Sequence, residues 1–361
     1  MKPTLLFFLC LSTWPPMASV LAQSPASSGS PGAVGAPKSV LFTSSEPLSF
    51  TLAARMQDIV TDRSLPRHDS LATKHAALLT YPADSTTNGN GGQIPLALVV
   101  RGNFRRDPRH CQFPPLYVDF PKKKVSGTPF AGQNTLKLVT HCQDDEFVVR
   151  EYLVYKLYNI ITNLSFQARL ARVTYVDSAQ KRPTETRWAC LIEDEDDVAR
   201  RNGMREYKGQ IESGGADSVT LATMAVFEYM IGNIDWMAGE RHNVRLMGGP
   251  PTDLPKAVPY DFDHAVIVGA TYASRANDTG QRLYRGPLYP GWLLKRVFAR
   301  FNELKPRFYA LYASDKRLSP AYVKQTVNYL DTFYTYINDP KTVKKHFFGG
   351  DSHGKLFASF R

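Results

Sequence analysis

The chain has 361 residues, with 44 Lys and Arg against 33 Asp and Glu, a formal charge of +11. It is long enough for one large domain, or for two parts sharing a cleft, around a sizeable core. The positive charge favours acidic partners. However, the basic residues are spread along the chain, and the clusters RGNFRRDPRH (101–110) and PKKKVSG (121–127) lack the interleaved aromatics of a nucleic-acid platform, so none is expected.

The opening MKPTLLFFLCLSTWPPMASVLAQ has one Lys, an apolar stretch at Leu5 to Leu11 and the small-residue ending VLAQ, the order of a secretory signal peptide. It predicts residues 1–22 as a leader cleaved near Ala22 and a secreted or periplasmic protein. Residues 23–38 are Ser, Gly, Pro and Ala with almost no large apolar side chain. They cannot offset their ordering entropy and read as a flexible leader. No later segment approaches the length of an apolar membrane span, so no transmembrane segment is expected. Folding is expected to begin near Val40.

From Ile94 to Val139, short apolar runs alternate with turn residues (IPLALVVRGN, PLYVDFPKKK, NTLKLVTHC) and predict antiparallel strands. DDEFVVREYLVYKLYNIIT then starts acidic and continues with helical apolar spacing. Strands return in ARLARVTYVD and TRWACLIED. After EDEDDVARRNG the pattern lengthens: DSVTLATMAVFEYMIGN reads as a helix capped at Asp217 or Ser218 and ended by Gly232. PGWLLKRVFARFNELKPRFYALY and SPAYVKQTVNYLDTFYTYI read as helices too. The expectation is an α+β chain, strand-rich with one key helix over residues 39–193 and mostly helical over 194–361. Three cysteines follow the leader. Cys111 and Cys142 lie at the edges of expected strands and are paired by expectation, with Cys190 reduced, although spacing alone does not fix connectivity.

The residues with chemistry concentrate late. GNIDWMAGERHN places Asp235 and Asn243 eight positions apart just after a helix end, and PYDFDHA adds Asp261 and Asp263. Carboxylates and an amide are hard oxygen ligands, which suit Mg2+ better than His or Cys sets do. Each also has a plainer reading, because Asp and Asn after a helix commonly satisfy backbone groups. His242 is a possible general base or a loop residue bonded to backbone. The acidic run Glu193 to Asp197 is a cation site or a set of helix-dipole partners. Trp188 and Trp236 read as core or cleft wall.

RGN at Arg101 to Asn103, LKLVTHC leading into REYLVYKLYN, LIEDEDD, GNIDWMAGERHN and PYDFDHA, in that order, resemble the CotH-like kinases, an atypical protein-kinase-like family of spore-coat and secreted proteins. The resemblance implies a two-lobed protein-kinase-like fold, with a strand-rich lobe carrying one key helix and a mostly helical lobe. It implies phosphoryl transfer from ATP, with Mg2+ or Mn2+, to a protein hydroxyl. Asp235 would be the catalytic Asp, and Asn243, Asp261 and Asp263 would hold the metal. Lys137 would reach the phosphates with Glu151, fourteen residues later, as its ion-pair partner, and Arg101 and Gly102 would supply a phosphate clamp. Ordinary protein kinases space the catalytic Asp and metal Asn by five residues and carry Gly at the third position of the DFG element, against eight residues and Asp263 here, and no GxGxxG precedes Lys137; the longer loop is compatible with a CotH-like site. An inactive pseudokinase-like surface or scaffold protein and an exported metal-dependent phosphohydrolase use the same residues and stay open here.

Overall fold

The structure, a computed structural model, describes residues 38–62, 72–83, 90–212, 214–249, 253–273 and 282–349, all within the unit Val34–Arg361. The expected signal peptide (1–22) and all of the expected leader except Lys38 lie outside the described residues.

Alternation builds the first half. In LSFTLAA (β1, Leu48–Ala54) every second side chain, from Leu48 to Ala54, is buried, the period-2 pattern of a strand with one face on a core. After the short helix α1 (Met56–Thr61) come β2 (His75–Tyr81), β3 (Gly92–Val100), β4 (Leu116–Asp119) and β5 (Thr135–Val139), paired antiparallel with their sequence neighbours. Helix α2 (Asp145–Ile161) then interrupts the sheet before β6 (Ala168–Asp177) and β7 (Glu185–Ile192). β7 pairs with both β5 and β6, and β6 returns to β1 in parallel, Leu48 opposite Ala171 through Ala54 opposite Asp177. The ring β1-β2-β3-β4-β5-β7-β6 is therefore closed. Leu52, Leu79, Leu98, Phe130, Leu136 and Leu191 are among the buried side chains that fill it.

This closed, mixed, seven-stranded barrel corrects the expectation of a two-lobed protein-kinase-like fold. Hairpin turns and alternation specify local antiparallel pairing, and those strands are found where the sequence put them. Closure depends on one parallel pairing between segments more than a hundred residues apart, and nothing in local periodicity encodes a partner that remote.

Helix α2 is buried on nearly every side, because it packs against β6 and β7 on one flank and against helix α5 (Gly291–Ser314) on another. The Asp144 side chain caps it by accepting from the Glu146 N–H. The acidic run forms the first turn of α3 (Glu195–Arg201), capped by Asp194. β8 (Arg205–Glu206) and two later strands, β9 (Val244–Gly248) and β10 (Lys256–Pro259), make a small sheet in the order β10-β9-β8. Between β8 and β9 runs α4 (Ser218–Ile231), in which ten of fourteen residues are buried. It ends at Gly232, whose φ of +71° is left-handed, and a Cβ there would meet Val266 Cβ at 2.8 Å. Only glycine satisfies both conditions, so Gly232 fixes the direction in which the next loop leaves the helix. Helices α6 (Pro320–Asn338) and α7 (Pro340–Phe347) follow α5 and share its core with α4. Among the described residues no helix is long and apolar enough to cross a membrane.

Cys111 and Cys142 form the expected disulfide, and Cys190 is buried and free. The bridge spans 31 positions and ties the loop after β3 to the segment entering α2. Replacing both bridge cysteines with Ala is expected to lower the free energy of unfolding by about 3–4 kcal/mol through loop-closure entropy. Denaturant midpoints measure this, and an unchanged midpoint would contradict it.

Candidate functional site

The β9–β10 hairpin explains why distant motifs meet. Val244 pairs with Pro259 at the hairpin's open end, and one step further the Tyr260 N–H donates to the Asn243 carbonyl at 3.0 Å. The residue entering β9 and the residues leaving β10 are thereby side by side, which brings Asn243 to Asp261. The Asp261 N–H donates to Tyr155 Oη at 2.9 Å, anchoring the turn to α2. Asn243 (φ 52°), Asp261 (φ 65°) and Arg241 (φ 54°) all adopt the left-handed backbone region. Non-glycine residues do this at some cost and chiefly where the surroundings hold them in place.

A cavity of about 300 Å³ opens here. Asp235, Asn243, Asp261 and Asp263 line it, with Arg101, Gly102 and Arg105 from the segment after β3 and with Arg241, His242, Tyr260 and His264. The sequence-predicted Asp235, Asn243, Asp261, Asp263, Arg101 and Gly102 therefore share one cavity; Lys137 and Glu151 do not line it.

Asp235 is tied on three sides. Its N–H donates to Asn233 Oδ1 at 3.0 Å, Asn243 Nδ2 donates to its Oδ2 at 3.1 Å, and His242 Nε2 lies 2.8 Å from its Oδ1. Its side chain remains 36% exposed, so a macromolecular group can reach it. His242, ambiguous in the sequence, is in contact with this carboxylate. Asp263 is only 5% exposed. Burial, then the charge of Asp261, raises its carboxyl above the ordinary range, with Arg105 and His264 opposing.

Glu151 corrects a sequence expectation. Lys137 Nζ lies 3.0 Å from Glu195 Oε2 rather than on Glu151. The reason is strand order: Lys137 on β5 sits opposite Ile192 of β7, so the chain leaving β7 delivers the first residue of α3 directly to it. Burial lowers the Lys137 pKa, with Glu195 opposing and Arg101 and Arg245 adding to the effect of burial. Glu151 faces the cavity's carboxylates from behind. Burial first, then Asp263 and Asp261, push its carboxyl well above the usual range, while Arg105 and Arg101 oppose. Its Oε1 is buried without a hydrogen-bond partner. Glu195→Gln is expected to cost about 1–3 kcal/mol by leaving the buried Lys137 without its counter-charge. It should also raise Lys137 acylation at mildly alkaline pH, whereas Glu151→Gln should leave Lys137 reactivity unchanged; the reverse pattern would overturn the pairing.

A second cavity of about 270 Å³ adjoins, lined by Val99, Tyr117, Thr135, Lys137, Asp194 and Glu195 among others. Tyr117 and Tyr260 form the partition: Arg101 stacks on Tyr117 at 5.3 Å, and Lys137 Nζ lies 4.9 Å from the centre of the Tyr260 ring. Sequence reasoning missed Arg105, Tyr155, Tyr260, His264 and Glu195. Arg105 and Glu195 were visible only as members of the RGNFRRDPRH and EDEDD clusters, with no signal for which member faces the cavity.

Among the described residues, no three or more His, Cys, Asp and Glu side chains gather into a metal-binding group. The oxygen set here is smaller and mixed: the Asp261 and Asp263 carboxylates with the Asn243 amide, whose Nδ2 is committed to Asp235, leaving Oδ1 as the atom a cation would take. One or two carboxylates, completed by water and phosphate oxygens, is the manner in which Mg2+ is ordinarily held. The mutual repulsion of Asp261, Asp263 and Glu151 and the orphaned Glu151 oxygen both fit an added divalent cation.

A comparison with protein-family profiles finds no match for the chain, and a comparison with curated proteins finds none either.

Proposed function

We propose that the protein transfers the γ-phosphoryl group of ATP to a hydroxyl on an acceptor protein. The observation that carries this reading is the convergence in one cavity of Asp235, Asn243, Asp261 and Asp263 with the cations Arg101 and Arg105, beside a second cavity large enough to begin enclosing a base. Arg105 is buried and Arg101 half-buried, and both are held in charged form: burial works against them, but Asp261 with Tyr117, and Tyr272 with Asp263, outweigh it. They suit the polyphosphate, and Lys137 stands at the partition between the two cavities. Asn243, Asp261 and Asp263 would hold Mg2+, which would supply positive charge to neutralise the phosphates.

In the transfer the acceptor hydroxyl oxygen forms a bond to the γ-phosphorus, the bond from that phosphorus to the β-bridging oxygen breaks, and ADP leaves with the bonding electron pair. Asp235 orients the hydroxyl and takes its proton. His242 and Asn243 hold the two oxygens of that carboxylate in place, so little reorganisation accompanies the step. The chain's net charge of +11 favours an acidic acceptor, and its amino-terminal sequence supports export to the periplasm or outside the cell.

Incubation with γ-labelled ATP, Mg2+ or Mn2+ and a panel of acidic and neutral acceptor proteins tests the reading. Label on an acceptor hydroxyl supports it. Mg-dependent binding without transfer would identify a nucleotide-binding scaffold, release of inorganic phosphate without an acceptor would identify a phosphohydrolase, and absence of binding would remove the nucleotide altogether.

A further inference from the structure

Glu228 sits in the last turn of α4 and is 1% exposed, and neither of its carboxyl oxygens makes a full hydrogen bond. Its neighbours Phe227, Tyr229, Met230 and Ile231 are buried in the hydrophobic core, so an apolar residue would pack at this position with less cost than a carboxyl. Packing therefore gives no reason for a glutamate. What Glu228 faces does give one. The Asn233 N–H donates to the Glu228 backbone carbonyl at 2.8 Å, and the Asn233 side chain, also 1% exposed, lies against the Glu228 carboxyl with its Nδ2 otherwise unpartnered. The other end of that amide, Oδ1, accepts the N–H of Asp235 at 3.0 Å. One amide is thus held between a buried carboxyl and the backbone of the residue assigned to meet the acceptor.

We propose that Glu228 is a positioning residue for Asp235, acting through Asn233; the assignment rests on the phosphoryl-transfer reading of the Asp235 cavity. With the Asn233 Nδ2 set against the Glu228 carboxyl, it is Oδ1 that meets the Asp235 N–H. Gly232, in its left-handed turn, starts this loop, and the Gly232 carbonyl accepts the Val266 N–H at 3.3 Å, so Asn233 is the residue that links the end of α4 to the Asp235 backbone. The charged and titratable groups facing Glu228 are Tyr158 from α2 and Asp235 from the loop. Burial, opposed by Asn233 and assisted by Asp235, pushes the Glu228 carboxyl up to about 8. It is neutral at pH 7, and ionisation above pH 8 sets a charge against Asp235 and loosens the arrangement.

The test compares Glu228→Gln and Glu228→Leu with the unmodified full chain by three measurements: amide-exchange protection of Asp235 across pH 6 to 9, Mg-ATP affinity, and transfer rate. Glu228→Leu is expected to keep Mg-ATP affinity within about twofold but to lose Asp235 protection and about 10- to 100-fold of transfer, the size associated with small misplacements of a reacting group. Glu228→Gln, the conservative rescue, is expected to hold Asp235 at pH 7 and to lack the fall in protection that the unmodified protein undergoes above pH 8. Unchanged Asp235 protection in Glu228→Leu, or Gln as damaging as Leu, would overturn the proposal. Should Glu228→Leu not fold, identical pH profiles of Asp235 protection in the unmodified and Gln proteins would overturn it equally. The exchange measurement needs no catalysis, so a failure of the phosphoryl-transfer reading is seen separately, as absent transfer in the unmodified protein with its Asp235 protection intact.

Discussion

Asp261→Asn is expected to lower Mg-dependent ATP affinity about 100-fold, or about 2.7 kcal/mol, while leaving the ligand-free protein at least as stable as before. Both halves follow from the charges around this residue. Asp261 is one of two carboxylates available to a cation, and the second, Asp263, is already raised by burial and by Asp261 itself. With Asp261 neutral, a cation keeps one carboxylate and two amide oxygens, too little charge to repay its lost water. In the ligand-free protein the same change relieves repulsion on Asp263 and Glu151. The sign with pH can be checked as well. Glu151 and Asp263 have folded-state values above their unfolded ones, so the folded state retains protons that the unfolded chain releases. The contribution of these two groups to the stability of the ligand-free protein therefore falls as pH rises above about 4 to 5, near the unfolded carboxyl values. That fall should be shallower in Asp261→Asn. Calorimetric titration with Mg-ATP and thermal unfolding from pH 4 to 8 measure the two effects, and parent-like affinity would remove Asp261 from the metal set.

The parts of this molecule legible in its sequence are those encoded by neighbours. The alternation in β3 to β5, the acidic start of α2, the cap and Gly232 stop of α4 and the helical spacing of α5 and α6 are local signals, and the elements stand where those signals placed them. The gathering of Asn243 with Asp261 was implied in the sequence only by the resemblance, and the hairpin that brings them together, β9 to β10, shows in the structure. What local pattern does not contain is the identity of remote partners. The β1–β6 pairing closes the barrel although neither strand's residues name the other. The Lys137 partner was misassigned for the same reason. A lysine on a strand followed by a glutamate on the next helix is a pattern in one dimension, whereas β7 comes to lie beside β5 only in three, and that pairing supplies Glu195. Glu228 lay inside an apolar run that reads as core, and only its unsatisfied burial marks it out.

Asp235→Asn is expected to leave Mg-ATP affinity within about twofold and to reduce transfer by about 100- to 10,000-fold, the usual worth of a positioned base. Asp235 is accessible, with 36% of its side chain exposed, whereas Asp263 and Glu151 are buried. An acceptor hydroxyl arriving from solvent can therefore reach Asp235. Its substitution by Asn keeps the shape and the N–H bond to Asn233 Oδ1, so the loop should keep its course. What is lost is the acceptor for the hydroxyl proton and the charge that His242 and Asn243 address. Because Asn cannot accept the proton, raising pH should restore rate only as the acceptor hydroxyl itself ionises, and the pH profile of the variant should rise where that of the unmodified protein is flat. Asp235 and Asp261 thus separate by measurement: one variant binds and does not transfer, the other fails at binding. If Asp235→Asn instead loses ATP in parallel with Asp261→Asn, Asp235 belongs to the metal set, and the proton has to leave by another group, with His242, already 2.8 Å from that carboxylate, the nearest that can take it.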